Sequence, residues 1–241
     1  MQTETVLLTE IALTIAFCIE FLIAYDLIKK DSSYRANQFL SLAYVCLGLT
    51  IFFNLLYFVF VFPINVVLIL HRLTNVFAIL FGVFIFATVS YIRFGSQGLK
   101  KADFIVINLI SLILIIGVFL YDGVTITFDQ NLVLTTWSFE FLLICSIPIF
   151  LLGSITVFYY YRLYQDLKSD KNIASKLKMS MLAYATISVA YFISRTPFYL
   201  VTIYPDLQNA VQLIGLLASG FVVIFSIIVA WIFLQRKITI D

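Results

Sequence analysis

Reactive groups are scarce in the long apolar stretches of this chain. Its one histidine, His71, has no second histidine near it, so the HxxxH and HExxH patterns of metal-dependent hydrolases are absent. All nine lysines lie between or after the apolar stretches, which excludes a retinal Schiff base on a buried lysine. There is no GxSxG motif, no phosphate loop and no aspartate deep in an apolar stretch. We therefore expect no catalysis, no metal and no cofactor.

Charge and cysteine are also scarce. Charged residues make up 12% of the 241 residues and hydrophobic residues 63%, and the mean hydropathy is +1.07. Such a composition is typical of membrane proteins. The three cysteines, Cys18, Cys46 and Cys145, lie within apolar stretches, so we expect no structural disulfide. With a net charge of only +2, the expected partner is the lipid bilayer and not a nucleic acid.

Seven apolar runs are each long enough, at about 18 residues or more, to cross a bilayer as a helix. None shows the period-2 alternation of a membrane-spanning strand. The sequence therefore predicts an all-α integral membrane protein, with residues 1–241 forming a single seven-helix transmembrane domain. The runs are Leu7–Leu27, Gln38–Phe60, Val66–Ile92, Phe104–Tyr121, Thr135–Tyr161, Met179–Ile203 and Gln208–Phe233.

The distribution of lysine and arginine predicts the orientation. Thirteen of the 15 basic residues lie in the connections that follow runs 1, 3, 5 and 7. The opposite connections, Val61–Asn65, Asp122–Leu134 and Tyr204–Leu207, contain none. Because positive charge is retained on the cytoplasmic side, the N-terminus is expected outside and the C-terminus in the cytoplasm. We expect a multi-pass protein of the plasma membrane.

The third run is predicted to be the central helix of the bundle. Near its predicted outer end it carries His71, Arg72 and Asn75. Such polar groups are stable in hydrocarbon only when they have hydrogen-bond or ion-pair partners. Ala78 and Gly82 follow four residues apart, where a second helix can come close. Both features indicate a helix that other helices enclose.

Two connections have distinctive patterns. The outer connection Gly123–Thr136 alternates apolar and polar residues on either side of Asp129–Asn131, which predicts a short β-hairpin between helices 4 and 5. Helix 5 is expected to continue into the basic inner connection Arg162–Lys178, with Asp170 or Asn172 capping helix 6. This connection either meets anionic lipid or docks a cytoplasmic signalling protein.

Polar and charged side chains from several runs converge on one layer. Counted at 1.5 Å per residue from the predicted outer boundary, Arg72, Glu140 and Arg195 lie about 8 to 12 Å deep. Charges within a span are rare and usually have a partner or a function. The candidate ligand-binding residues of this layer are His71, Arg72, Asn75, Trp137, Glu140, Arg195 and Gln212.

Two interpretations of this layer remain open. In the first, Arg72 and Arg195 pair with Glu140 and Glu10 in a structural network that locks the helices together. In the second, the layer lines a polar cavity that opens outward, and its surplus positive charge favours a small anionic ligand. Both interpretations predict that Glu140 lies within salt-bridge distance of at least one of the two arginines.

Glu20 and two prolines lie outside this layer. Glu20 is about 20 Å below the predicted outer boundary, where no basic residue lies, so we expect a neutral, hydrogen-bonded carboxyl; a proton or ion route is the alternative. Pro148 and Pro197 each remove a backbone hydrogen bond and permit kinks in helices 5 and 6. Such kinks would let an outer event move an inner surface.

In helix number, orientation and long connection between helices 5 and 6, the chain resembles seven-helix receptors and the sensory modules of prokaryotic histidine kinases. It departs from the G-protein-coupled family, because helix 3 ends in SYIR and not DRY, and helix 7 has no NPxxY. The resemblance implies a sensor that binds a small ligand and signals to a separate cytoplasmic partner. The alternatives are a small-solute transporter of three-plus-one-plus-three helices, similar to sugar and amino-acid facilitators, and a non-catalytic membrane scaffold subunit.

Overall fold

The computed structural model describes residues 2–60, 62–129, 132–204 and 206, with scattered positions between 214 and 228. Six long helices account for the first six apolar runs, and each is long and apolar enough to cross a membrane. The chain is therefore an all-α, multi-pass integral membrane protein. Its elements are α1 (Gln2–Lys30), α2 (Arg35–Val59), α3 (Ile64–Phe94), a 3-10 helix (Gly95–Lys100), α4 (Ala102–Leu120), β1 (Val124–Asp129), β2 (Leu132–Trp137), α5 (Phe139–Leu167) and α6 (Lys171–Ile203).

Local chemistry sets the ends of the first three helices. Between α1 and α2, Asp31 Oδ1 accepts from the hydroxyl and the N–H of Ser33 at 2.6 and 2.9 Å. These bonds favour the carboxylate and hold the pKa of Asp31 below its usual value. At the far end of α3, Gly95 has a φ of 59°, a left-handed conformation that suits glycine and ends the helix.

α3 lies at the centre of the described bundle, where it packs against α2, α4, α5 and β1. Its small residues allow a close approach, as the sequence predicted. A Cβ added to Gly82 would come within 3.1 Å of Leu152 on α5, and Ala78 is buried in the same face. The three cysteines are free, as expected.

The strands β1 and β2 pair antiparallel, with Val124 opposite Trp137 at the open end of the pair. They occupy the connection where the sequence predicted paired strands. Val124, Ile126 and Trp137 are buried because alternate side chains of a strand share one face. The pair packs against α6 and α3, which brings Trp137 into the bundle.

The start of α5 corrects one sequence prediction. The fifth run was drawn from Thr135, but residues 135–137 belong to β2 and α5 begins at Phe139. Ser138 sets this boundary, because its Oγ accepts the N–H of Phe141 at 3.2 Å and caps the helix. Hydropathy alone does not distinguish a buried strand end from the first turn of a spanning helix.

The C-terminal end of α5 and the N-terminal end of α6 are joined by a very short connection. The predicted connection Arg162–Lys178 is mostly helical, and only residues 168–170 separate the two helices. α5 thus continues past the predicted run, as expected. Asp170 caps α6, also as expected, by accepting the N–H of Ile173 at 3.1 Å.

The seventh apolar run, Gln208–Phe233, is described only at isolated positions, and these are helical. One of them, Phe225, is buried against the rings of Phe81 and Tyr184, with centroid distances of 6.4 and 5.8 Å. Gln212, a predicted site residue, lies outside the described residues.

Candidate functional site

The site begins on one face of α3. His71 and Asn75 lie four residues apart, so they share a face of the helix, and neither has any exposed surface. The Asn75 side chain donates from Nδ2 to the carbonyl oxygen of His71 at 2.8 Å. This bond leaves the Asn75 carbonyl oxygen free to accept from a neighbouring helix.

Both ring nitrogens of His71 have partners. Trp137 Nε1 donates to His71 Nε2 at 2.8 Å, so Nε2 is unprotonated and the imidazole is neutral with its proton on Nδ1. His71 Nδ1 lies 3.3 Å from the Tyr57 hydroxyl, and that hydroxyl donates in turn to Asn54 Oδ1. These bonds therefore fix the tautomer of His71. They form one hydrogen-bonded chain that runs from Trp137 of β2 through His71 of α3 to Tyr57 and Asn54 of α2.

Trp137 is the residue by which the strand pair enters the polar layer. It is 1% exposed, and its ring stacks on Phe198 of α6 at 5.6 Å with an interplanar angle of 28°. Its carbonyl oxygen accepts from the Thr202 hydroxyl at 3.3 Å. Trp137 thus ties β2 to α3 by its indole N–H and to α6 by its ring and its carbonyl.

A second bond across the layer joins α6 to α3. The Tyr191 hydroxyl donates to Asn75 Oδ1 at 2.7 Å. One turn further along α6, Arg195 is 8% exposed. Its guanidinium carbon lies 5.2 Å from the centre of the Tyr191 ring and 5.7 Å from the rings of Trp137 and Phe198. The hydroxyls of Tyr57 and Tyr191 lie near the guanidinium.

Arg195 carries the charge of this buried group. Its aromatic neighbours stabilise a cation by about 0.5 to 2 kcal/mol per contact, but they supply no negative charge. No Asp or Glu in the described part of the chain forms an ion pair with it, and its Nε–H has no acceptor there. Because His71 is neutral, the cluster of His71, Trp137, Tyr191 and Arg195 has a net charge of +1.

Arg72 has a different environment from Arg195. Its Nη1 donates to the carbonyl oxygen of Phe119 and its Nη2 donates to that of Tyr121 at 3.2 Å. These oxygens belong to the end of α4, where the helix provides no donors. Asp122 lies 3.9 Å from the guanidinium. Arg72 therefore closes a helix end and has an acidic neighbour, although its Nε–H, like that of Arg195, has no acceptor in the described structure.

The predicted ion pair of Glu140 was wrong. Glu140 is exposed in the first turn of α5, and within the described residues it pairs with neither Arg72 nor Arg195. The free N–H groups at a helix start favour a carboxylate in this place. Glu10 does not replace it, because within the described residues Glu10 forms no ion pair with either arginine.

The structure brings together His71, Asn75, Trp137 and Arg195 from the predicted set. It places Arg72 beside the layer, at the end of α4, and Glu140 outside it. Sequence reasoning missed Tyr57 and Asn54 of α2. Their spacing of three residues puts both on one helix face, and an asparagine within the apolar run Gln38–Phe60 was a signal that could have been noticed.

No group of three His, Cys, Asp or Glu side chains that could hold a metal occurs among the residues that the structure describes. The fold and the site thus define a multi-pass α-helical membrane protein with a buried polar layer centred on one arginine. Comparison of the chain with protein-family models, with curated proteins and with solved structures gave no match.

Proposed function

We propose that this chain is a non-catalytic, receptor-like seven-helix protein of the plasma membrane. It binds a small anionic ligand at the buried polar layer around Arg195 and signals to a separate cytoplasmic partner. The observation that carries the proposal is the burial of the Arg195 charge, at 8% exposure, without an anionic partner among the described residues.

The energetic argument is a comparison of two states of the site. Burial of a charged arginine deep in a bilayer without a counter-charge costs about 2.5 kcal/mol or more in free energy. A carboxylate bound to the guanidinium would balance that charge and accept two parallel N–H bonds, which is the geometry that arginine favours. The binding of an anion therefore relieves a cost that the empty site carries.

The neighbours of Arg195 describe the ligand further. The guanidinium itself provides the N–H donors, and the rings of Trp137 and Phe198 beside it provide an apolar wall. A small organic acid, with one carboxylate and an apolar body, matches this surface better than a highly hydrated inorganic anion does.

A route for the signal runs along α6. Arg195 lies two residues before Pro197, and Pro148 interrupts the backbone bonds of α5, the helix beside it. Prolines in spanning helices permit bending. Movement of the outer part of α6 would therefore shift its inner end, where the basic stretch Arg162–Lys178 offers a surface to a cytoplasmic partner or to anionic lipid.

Receptor-like binding is favoured over alternating access by the packing below the layer. Beneath Asn75, α3 presents Ile85, Phe86 and Val89 to a packed core, in which the hydroxyls of Tyr44 and Tyr184 bond to each other. A transporter would need a polar path from this side. The seven-span count and the outer N-terminus are part of the proposal, supported by the apolar run Gln208–Phe233 and by the one-sided distribution of basic residues.

A thermal-shift experiment tests the proposal. The purified chain is heated with small carboxylates and with their uncharged amides, such as benzoate with benzamide and acetate with acetamide. At 100 times its Kd, a ligand stabilises its site by about 2.7 kcal/mol. We expect at least one carboxylate, and not its amide, to raise the Tm of the native chain and of Arg72→Gln. The effect should vanish in Arg195→Gln. If no carboxylate acts, or if Arg195→Gln responds like the native chain, the layer is a structural lock.

A further inference from the structure

A second group of buried polar side chains lies in the larger apolar core, apart from the Arg195 layer. Glu20 of α1 has no exposed surface. It lies midway between the ends of its candidate span, Glu10–Lys30, about 15 Å from each end. Three tyrosines from other helices are buried in the same core: Tyr44 of α2, Tyr160 of α5 and Tyr184 of α6.

The tyrosines form a connected group close to the carboxyl. The hydroxyls of Tyr44 and Tyr184 are hydrogen-bonded at 3.0 Å, and the ring of Tyr184 stacks on Tyr160 at 5.5 Å with an interplanar angle of 14°. Glu20 interacts electrostatically with Tyr44 and Tyr184. Titratable side chains from α1, α2, α5 and α6 therefore meet at one place.

Among the described residues, apolar rings from two further helices also border this group. α3 contributes the ring of Phe81, and the seventh run contributes Phe225; both rings contact Tyr184. On α1 itself the nearest carboxylate, Asp26, is paired with Lys30 at 2.7 Å. These apolar rings cannot stabilise the negative charge of an ionised carboxylate by hydrogen bonding.

The sequence supplies no base at this depth. Residues 2–28, 36–70, 73–92, 102–161, 179–194 and 196–235 contain no lysine, arginine or histidine, and they include the middle of every apolar run. Burial of a carboxylate among apolar groups costs far more than burial of the neutral acid. A neutral carboxyl can donate one hydrogen bond and accept others, and a tyrosine hydroxyl can do both.

We propose that Glu20, Tyr44 and Tyr184 form a proton-binding site within the bundle. Glu20 carries the proton as a carboxylic acid, and the two tyrosine hydroxyls stabilise it by hydrogen bonding. Release transfers the proton from the Glu20 oxygen to water and leaves the carboxylate, without oxidation or reduction. Because that step requires water in this core, proton release is tied to an opening of the helix packing around Glu20.

Infrared spectroscopy of the full chain in lipid vesicles tests this site. A protonated carboxylic acid has a carbonyl stretch that a carboxylate lacks and that shifts in D2O. At neutral pH we expect this band in the native chain and in Glu10→Gln, a control on the same helix, and its loss in Glu20→Gln. Tyr44→Phe and Tyr184→Phe should retain the band at a changed frequency, because each removes a hydroxyl beside the acid.

A band that survives in Glu20→Gln would overturn the proposal, as would a native chain that shows no such band at neutral pH. If the carboxylic acid band appears only after sodium is removed, Glu20 binds a cation as a carboxylate, and the proposal of a proton site is wrong. If Glu20→Gln does not fold, solid-state NMR of the native chain with 13C-carboxyl glutamate replaces it. One of the four glutamates, Glu4, Glu10, Glu20 and Glu140, should then give a protonated signal at neutral pH that Tyr44→Phe moves. Four ionised signals would contradict the proposal.

Discussion

At the C-terminal end of α4, the guanidinium of Arg72 donates to the carbonyl oxygens of Phe119 and Tyr121 and lies near Asp122. The guanidinium of Arg195 faces three aromatic rings instead. The first arginine satisfies backbone groups that lipid would leave without donors. The second brings a positive charge into the bundle that the described residues do not balance.

This difference predicts opposite effects of the same substitution on the unliganded chain. Arg195→Gln removes an unbalanced buried charge, so the chain without added anion should become more stable, by about 1 to 2.5 kcal/mol. Arg72→Gln removes donors from a helix end and should destabilise the chain by about 1 to 2 kcal/mol. Thermal unfolding in detergent measures both. A lower Tm for Arg195→Gln would indicate that the arginine acts as a structural lock.

Trp137 supplies the second prediction at this scale. Trp137→Phe keeps the aromatic stack on Phe198 but removes the donor to His71 Nε2, and a buried acceptor then has no partner. We expect a loss of about 1 to 2 kcal/mol in stability. Phe139→Leu, an exposed aromatic position two residues away, is the control and should change stability by about 0.5 kcal/mol or less. Equal effects of the two substitutions would exclude a specific bond to His71.

At the scale of elements, the contact of α5 with α6 depends on a glycine. A Cβ at Gly153 would overlap the side chain of Ser188 on α6, whereas a Cβ at Gly117 of α4 would meet Ile144 at an ordinary 3.4 Å. Gly153→Ala should therefore cost about 1 to 3 kcal/mol. Gly117→Ala should be neutral or stabilising, because alanine is the better helix former. Chemical denaturation compares the two. If Gly153→Ala is as stable as Gly117→Ala, the helices are not in close contact there.

The elements also show what the sequence could predict. The length of each apolar run gave the first six helices, because a span needs a fixed number of apolar residues. The Asp170 cap and the close approach at Gly82 were confirmed, since both depend on chemistry local to a few residues. The start of α5 was missed, because Thr135–Trp137 contains no charge, glycine or proline and only Ser138 marks the boundary.

The ion pair of Glu140 failed for a geometric reason. Position along a helix gives the depth of a residue, but the direction of its side chain also depends on how the helix is rotated and packed. Glu140 and Arg195 have similar predicted depths, yet one lies exposed in the first turn of α5 and the other is buried among aromatic rings. The same limit hid the partnership of Tyr57 with His71, which joins residues on different helices.

At the scale of the whole molecule, the orientation can be tested by labelling. Thr127 of β1 and Ser169, between α5 and α6, are both exposed, and the proposed topology puts them on opposite sides of the membrane. In intact cells, Thr127→Cys should react with a membrane-impermeant maleimide, and Ser169→Cys should react only after permeabilisation. Native Cys18, Cys46 and Cys145 are first replaced by alanine to remove background. The reverse pattern of labelling would contradict the proposed orientation.

The account depends most on the assignment of the anion to Arg195. Equilibrium binding of the carboxylate with the largest thermal shift, isotopically labelled, measures this directly in the native chain, Arg72→Gln and Arg195→Gln. A hydrogen bond to a charged group contributes about 1.5 to 3 kcal/mol. Arg195→Gln should therefore weaken binding by about tenfold or more, and Arg72→Gln should leave the Kd within about threefold of native. Unchanged affinity in Arg195→Gln, or a larger loss in Arg72→Gln, would contradict the account.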